Sequence, residues 1–147
     1  MTGSPSDLPI VEKAKAMLDS LNVPCEVKVL SAHRTPDLVM DYVKAAPGRG
    51  VQVFIACAGM AAHLAGAVAA HTLLPVIGVP IAAGALNGLD ALLSTVQMPP
   101  GIPVATVGVD GAKNGAVLAA RILALTHPDI RAALADALAN ERKRYEA

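Results

Sequence analysis

Ser31-Ala32-His33-Arg34-Thr35-Pro36 sets a histidine directly beside an arginine. An imidazole titrates near neutrality and can both give and take a proton, while a guanidinium clamps an anion through paired N–H donors. By chemistry alone the pair reads equally as a proton shuttle next to an anion clamp and as a surface His-Arg pair in a loop. Gly3-Ser4-Pro5-Ser6-Asp7 puts a glycine and two hydroxyls where a helix begins, a place where unpaired N–H groups attract phosphate. Ordinary capping by Ser6 or Asp7 accounts for the same residues. No Gly-Lys-Ser/Thr follows, and the dinucleotide fingerprint is absent. His63 stands at the start of a predicted helix, from which it can point into a site. His71 lies eight positions further on, which is not the adjacent-turn pair of a helical metal site, so no metal is expected. His71 and His127 read as structural or surface residues, and Asp90 as a helix-dipole partner. No Ser-His-Asp order or nucleophile elbow occurs.

These groups need a frame. Asp7 is expected to cap a helix that carries Pro9 in its first turn and Leu8, Val11, Ala14, Leu18 and Leu21 at helical spacing. Cys25, Val27 and Val29 alternate with Glu26 and Lys28 as a short strand, which delivers residues 31–34 to a strand's C-terminal end. Thr35-Pro36-Asp37 starts a helix with a capping hydroxyl, and its inward stripe is Val39, Tyr42, Val43 and Ala46. Val51 to Ala56 reads as a buried strand, residues 57–60 as its exit turn, and Ala61 to Thr72 as a helix. A strand over Val76 to Val79, a helix capped by Asn87, a strand over Val104 to Val107 and two further helices follow. Such alternation implies a parallel sheet covered on both faces, because each parallel crossover needs a helix to return the chain. Ligands in these sheets bind beyond the C-terminal strand ends. That rule selects the turns at Gly3 to Asp7, Ser31 to Arg34, Ala58 to His63 and Pro80 to Gly88.

The chain has 147 residues, 54% of them hydrophobic, which is enough for one core and one domain over 1–147. Twelve Lys and Arg offset twelve Asp and Glu without a block of either sign, so neither nucleic acid nor an anionic membrane is an expected partner. Cys25 and Cys57 are too few for a disulfide framework and point to a reducing cytoplasm. Residues 50–89 contain no Asp, Glu, Lys or Arg. Gln52, His63, His71, Pro75, Pro80 and the many Ala and Gly argue for buried strands and a small-sided helix rather than a membrane span. That Ala-rich helix is expected to pack against other subunits.

Five segments together resemble the N5-carboxyaminoimidazole ribonucleotide mutase family, the catalytic-subunit family of phosphoribosylaminoimidazole carboxylase. They are Gly-Ser-Pro-Ser-Asp at 3–7, Ser-Ala-His-Arg-Thr-Pro at 31–36, Ala-Gly-Met-Ala-Ala-His-Leu at 58–64, Gln-Met-Pro-Pro-Gly-Ile-Pro-Val at 97–104 and Lys-Asn-Gly-Ala-Val-Leu-Ala-Ala at 113–120. The resemblance implies a three-layer α/β/α flavodoxin-like fold, a homo-octamer, no metal or organic cofactor, and a ribonucleotide substrate in de novo purine biosynthesis. It makes His33 the general acid/base, and Ser4, Asp7 and Arg34 the ligands of the phosphate and ribose end, with Ser6, Ser31 and His63 as further substrate-binding residues. Ala58, Gly59 and Met60 would hold the aminoimidazole ring through their backbone; the family often carries glycine where Met60 stands. The Arg form of the His-Arg motif resembles the microbial mutase class more than the class that uses carbon dioxide directly. Direct carboxylation of aminoimidazole ribonucleotide and a non-catalytic nucleotide-phosphate binding module are the competing expectations. The family's first motif follows a buried strand, whereas only Met1 and Thr2 precede Gly3, so the first strand is expected to be truncated, with an upstream start or impaired activity.

Overall fold

The computed structural model describes residues 1–146. Three parallel strands form its sheet in the order β1 (Phe54–Gly59), β2 (Val76–Ile81), β3 (Ala105–Thr106). β1 and β2 pair over their whole length, from Phe54 opposite Val76 to Gly59 opposite Ile81. Thr2 extends this sheet on the other side of β1 as a single bridging residue, parallel to both Cys57 and Val29. The strand expected over Cys25 to Val29 is a single bridge, formed where Val29 pairs with Thr2. Met1 and Thr2 are held by backbone bonds: Thr2 N–H donates to the Lys28 carbonyl, Leu30 N–H to Thr2, and Cys57 N–H to Met1.

One face is covered by α1 (Leu8–Ser20), α5 (Ala112–Leu123) and α6 (Pro128–Lys143), and the other by α2 (Pro36–Ala45), α3 (Leu64–Ala69) and α4 (Leu89–Val96). The first layer closes around Val11, Leu18, Val79, Ala116 and Ile130, the second around Val39, Val43, Phe54, Leu64 and Val68. This is the three-layer, flavodoxin-like α/β architecture. Gly78 shows how tightly the second layer sits on the sheet. A Cβ there would fall 2.9 Å from Val104 Cγ1 and still closer to Thr95 Cγ2, so only glycine lets α4 approach.

Several local expectations are corrected. Asp7 precedes α1 but makes no capping bond; its carboxylate instead accepts from Thr2 Oγ1 at 2.9 Å and Ser6 Oγ at 3.2 Å. Thr35 does not cap α2 through its hydroxyl, which is held in the preceding turn by Ser31 N–H and the Ser31 carbonyl. Gly88, in the left-handed region at φ +90°, replaces Asn87 as the residue before α4. The helix expected over 61–72 is shortened to α3, since Ala61 and Ala62 belong to the turn. β1 begins later than Val51 and runs to Gly59. β2 continues through Pro80, whose missing N–H costs no ladder bond because β3 ends at Thr106, while its carbonyl accepts from Asp110 N–H. α3 buries Leu64, Ala65, Val68 and Ala69 against β1, β2 and α2 of its own chain. Leu86, Leu89, Leu93 and Val96, on and just before α4, form one group of exposed apolar side chains.

Candidate active site

A cavity of about 230 Å³ opens beyond the C-terminal ends of the sheet. Its lining includes all ten residues singled out from sequence: Ser4, Ser6, Asp7, Ser31, His33, Arg34, Ala58, Gly59, Met60 and His63. They arrive on three separate turns, each following a strand or a bridge, which is where unpaired backbone groups and variable side chains meet in a parallel sheet.

The first turn is a short 3-10 helix, Pro5–Asp7, entered from an extended Ser4. Ser4 Oγ accepts from Ser6 N–H at 3.3 Å and from Ser6 Oγ at 2.8 Å. Thr2, fully buried, pins Asp7 through its hydroxyl. The second turn is held by Ser31, whose hydroxyl accepts from both Arg34 N–H at 3.2 Å and Arg34 Nε at 3.3 Å. Arg34 Nη2 donates to the Gly3 carbonyl at 3.0 Å, tying the second turn to the first. The guanidinium thus spans the Ser31 hydroxyl and the Gly3 carbonyl in the cavity that Ser4 and Ser6 also line, a grouping suited to a phosphate or carboxylate.

His33 and His63 meet in the same cavity. His33 Nε2 lies 2.8 Å from His63 Nδ1, and the rings cross edge to face at 83° with centroids 4.9 Å apart. One ring must donate and the other accept, so the pair holds a proton between two bases at the mouth of the cavity. Two histidines are an incomplete metal ligand set, and among the described residues no group of three His, Cys, Asp or Glu converges.

The third turn leaves β1 at Ala58 and Gly59 and passes through Met60 at φ +54°, a left-handed conformation that favours glycine. Met60 is held there by its neighbours: its side chain lies over Gly84, and Ala62 N–H donates to Ser94 Oγ on α4 at 3.1 Å. Ala83 completes the wall from the loop after β2, and that loop is fixed by Ala82 N–H donating to Asp110 Oδ1 at 3.0 Å. Ser94, Asp110 and Ala83 were missed in the sequence. Nothing in their spacing announces them; only the Pro80–Gly88 turn was visible as a strand end.

A doubly wound α/β protein whose strand-end cavity holds a histidine pair together with an arginine and several hydroxyls has the groups for proton transfer on a small anionic molecule. Comparison with known proteins narrows this class. The AIR carboxylase family model matches residues 1–144, and the chain belongs to that family. It is 59% identical over 129 residues to the N5-carboxyaminoimidazole ribonucleotide mutase of Pyrococcus abyssi, covering 88% of this chain and 74% of that protein. The Pseudomonas aeruginosa mutase is 53% identical over 141 residues, 95% of this chain and 86% of its own length. The crystal structure of Treponema denticola PurE superposes with a TM-score of 0.86 at 28% identity, covering 99% of this chain and 91% of that one.

Proposed function

We propose that the chain is an isomerase that moves the carboxyl group of N5-carboxyaminoimidazole ribonucleotide from the exocyclic nitrogen to ring carbon 4, a step of purine biosynthesis. The observation that carries the reading is the His33–His63 pair lining one cavity with Arg34 and Ser4 in a chain of mutase-like sequence.

In this reading Arg34 and Ser4 hold the phosphate, and Asp7, with Ser6 and Ser31 beside it, the ribose end. The binding energy of these non-reacting parts positions the ring against His33. The N–C bond of the carbamate breaks to release carbon dioxide, and His33 donates a proton to the nitrogen. Carbon 4 then attacks the carbon dioxide, and the proton it loses returns to His33, so acid and base are regenerated in one turnover. His63, bonded to His33 Nε2, orients that ring and shares its proton. The walls at Ala58, Gly59, Ala61 and Ala83 are small and uncharged, which retains a small apolar intermediate without reacting with it. Met60 closes the ring side.

The same reading makes the protein a cytoplasmic homo-octamer, supported by the exposed apolar side chains of α4, which need a partner surface. Among the described residues no helix is long and apolar enough to cross a membrane.

Turnover of the purified chain with the carbamate ribonucleotide tests the assignment, with aminoimidazole ribonucleotide plus bicarbonate as the second arm. Fast conversion of the carbamate alone is the expected result. Product only in the second arm would make the protein a direct carboxylase, and product in neither would leave a binding module.

A further inference from the structure

Asp7 reaches the cavity with both carboxylate oxygens engaged, but by donors of unequal quality. Oδ1 accepts from Ser6 Oγ at 3.2 Å and Oδ2 from Thr2 Oγ1 at 2.9 Å. Ser6 has a single hydroxyl proton and a second acceptor for it, Ser4 Oγ, which lies nearer at 2.8 Å. Its bond to Asp7 is therefore shared. The Thr2 hydroxyl has no other acceptor among the described residues, so its proton is committed to Asp7.

Thr2 is also the more firmly seated of the two donors. Its side chain is completely buried, its N–H and carbonyl are bonded to Lys28 and Leu30, and it bridges Val29 on one side and Cys57 on the other. A β-branched side chain has few rotamers to choose from, so this hydroxyl is a fixed donor. Ser6 is exposed, and the single 3-10 turn that carries Asp7 buries no residue of its own. Nothing in that turn's packing sets the rotation of the carboxylate; the bond from Thr2 does.

We propose that Thr2 is the positioning residue for Asp7, its hydroxyl fixing the carboxylate so that the remaining lone pairs serve as acceptors for ligand hydroxyls. A carboxylate held this way receives O–H donors and repels anions, whereas the Arg34 guanidinium on the neighbouring turn attracts anions and accepts nothing. On the ribonucleotide reading of the cavity, on which this assignment rests, the two groups sort the ends of a sugar phosphate: hydroxyls go to Asp7 and the phosphate to Arg34. Thr2 is buried and reaches the ligand only through Asp7. Its hydroxyl therefore governs the grip on the sugar, and neither the grip on the phosphate nor the proton transfer at His33.

The test compares Thr2→Val, which keeps the shape and loses the hydroxyl, with Thr2→Ser, which keeps the hydroxyl. Calorimetric titration with ribose 5-phosphate and with inorganic phosphate requires no turnover, so a chain that binds both but leaves the carbamate unconverted counts against the proposed reaction and not against Thr2. Thr2→Val should weaken ribose 5-phosphate at least about fivefold and leave inorganic phosphate within about twofold. Where the carbamate is turned over, its KM should rise by a similar factor with kcat nearly unchanged. Thr2→Ser should restore the affinity for ribose 5-phosphate, and in an Asp7→Ala background Thr2→Val should have no further effect. Unchanged ribose 5-phosphate affinity in Thr2→Val, or none in the unaltered chain, overturns the proposal. An equal loss in Thr2→Ser would reduce the effect to packing, a parallel loss of phosphate to collapse of the turn, and a full further loss in the Asp7→Ala background would take Asp7 out of the route; each overturns it too. Should Thr2→Val fail to fold, Thr2→Ala replaces it under the same criteria.

Discussion

At the scale of single residues, the site divides into groups that touch the reacting atoms and groups that hold the remote anion, and kinetics should separate them. His33→Asn is expected to keep ribonucleotide binding and lose at least about a hundredfold in kcat, the range for removing a general acid/base. Arg34→Ala and Ser4→Ala should instead raise KM more than they lower kcat, because their partner does not change during the chemistry; steady-state kinetics on all three variants checks both claims. Met60 carries a different burden, its left-handed backbone at φ +54°. Met60→Val should lower stability by about 1–2 kcal/mol, since a β-branched side chain fits that conformation worst, while Met60→Gly should not lower it; urea titration distinguishes them. The ten site residues were legible in the sequence because strand-end turns concentrate polar and small residues in short runs. Ser94 and Asp110 were not. Each acts through one long-range bond to a backbone N–H, and a lone hydroxyl or carboxylate on a helix or loop carries no local sign of such a bond.

At the scale of elements, the clearest wager is the contact between β2 and α4. Gly78→Ala pushes a methyl into Thr95 and Val104, both on elements already packed, so overpacking should cost about 1–3 kcal/mol and lower Tm by about 2 to 12 °C; calorimetry reads it directly. Element types followed from periodicity and from the need to return a parallel chain, and every helix expected is present. The first two helices start where expected, after Asp7 and Thr35, but without the capping bonds those side chains offer. Thr35 and Asp7 both look like helix starters, yet their oxygens are taken by Ser31 and by Thr2 and Ser6. Pro80 looks like a strand terminator and is not, because no third strand reaches it. The residues from Cys25 to Val29 read as a strand, but they do not show that only a bridge at Val29 forms. Their alternation is sound, but a strand exists only where a neighbour pairs with it.

At the scale of the whole molecule, three buried or half-buried groups give the fold a definite pH dependence. Burial lowers the Met1 amine below its ordinary 8.0, with Cys57, Cys25 and Glu26 as its titratable neighbours. The folded chain therefore binds fewer protons there than the unfolded one, and stability should rise with pH until about 8. Burial pushes the Cys57 thiol up to about 11, and burial with the Glu26 bond pushes Tyr42 up to about 12. These groups reverse the sign: the unfolded chain ionises first, so stability falls once pH passes about 9. Thermal melts from pH 6 to 11 should peak between about 8 and 9, and acetylation of Met1 should flatten only the lower limb. The chain's first two residues also bear on how it is made. Met1 and Ile55 are 54 positions apart, so at about 5 to 20 residues per second the terminus waits roughly 3 to 11 s for its partner to be synthesised. Cys57 lies on that partner, buried under α5, whereas Cys25 stays exposed. On ribosomes stalled at successive lengths, a thiol reagent should label both cysteines until α5 has emerged and Cys25 alone afterwards. Until then the nascent chain presents an apolar, half-built sheet to whatever factors attend the exit of the ribosome.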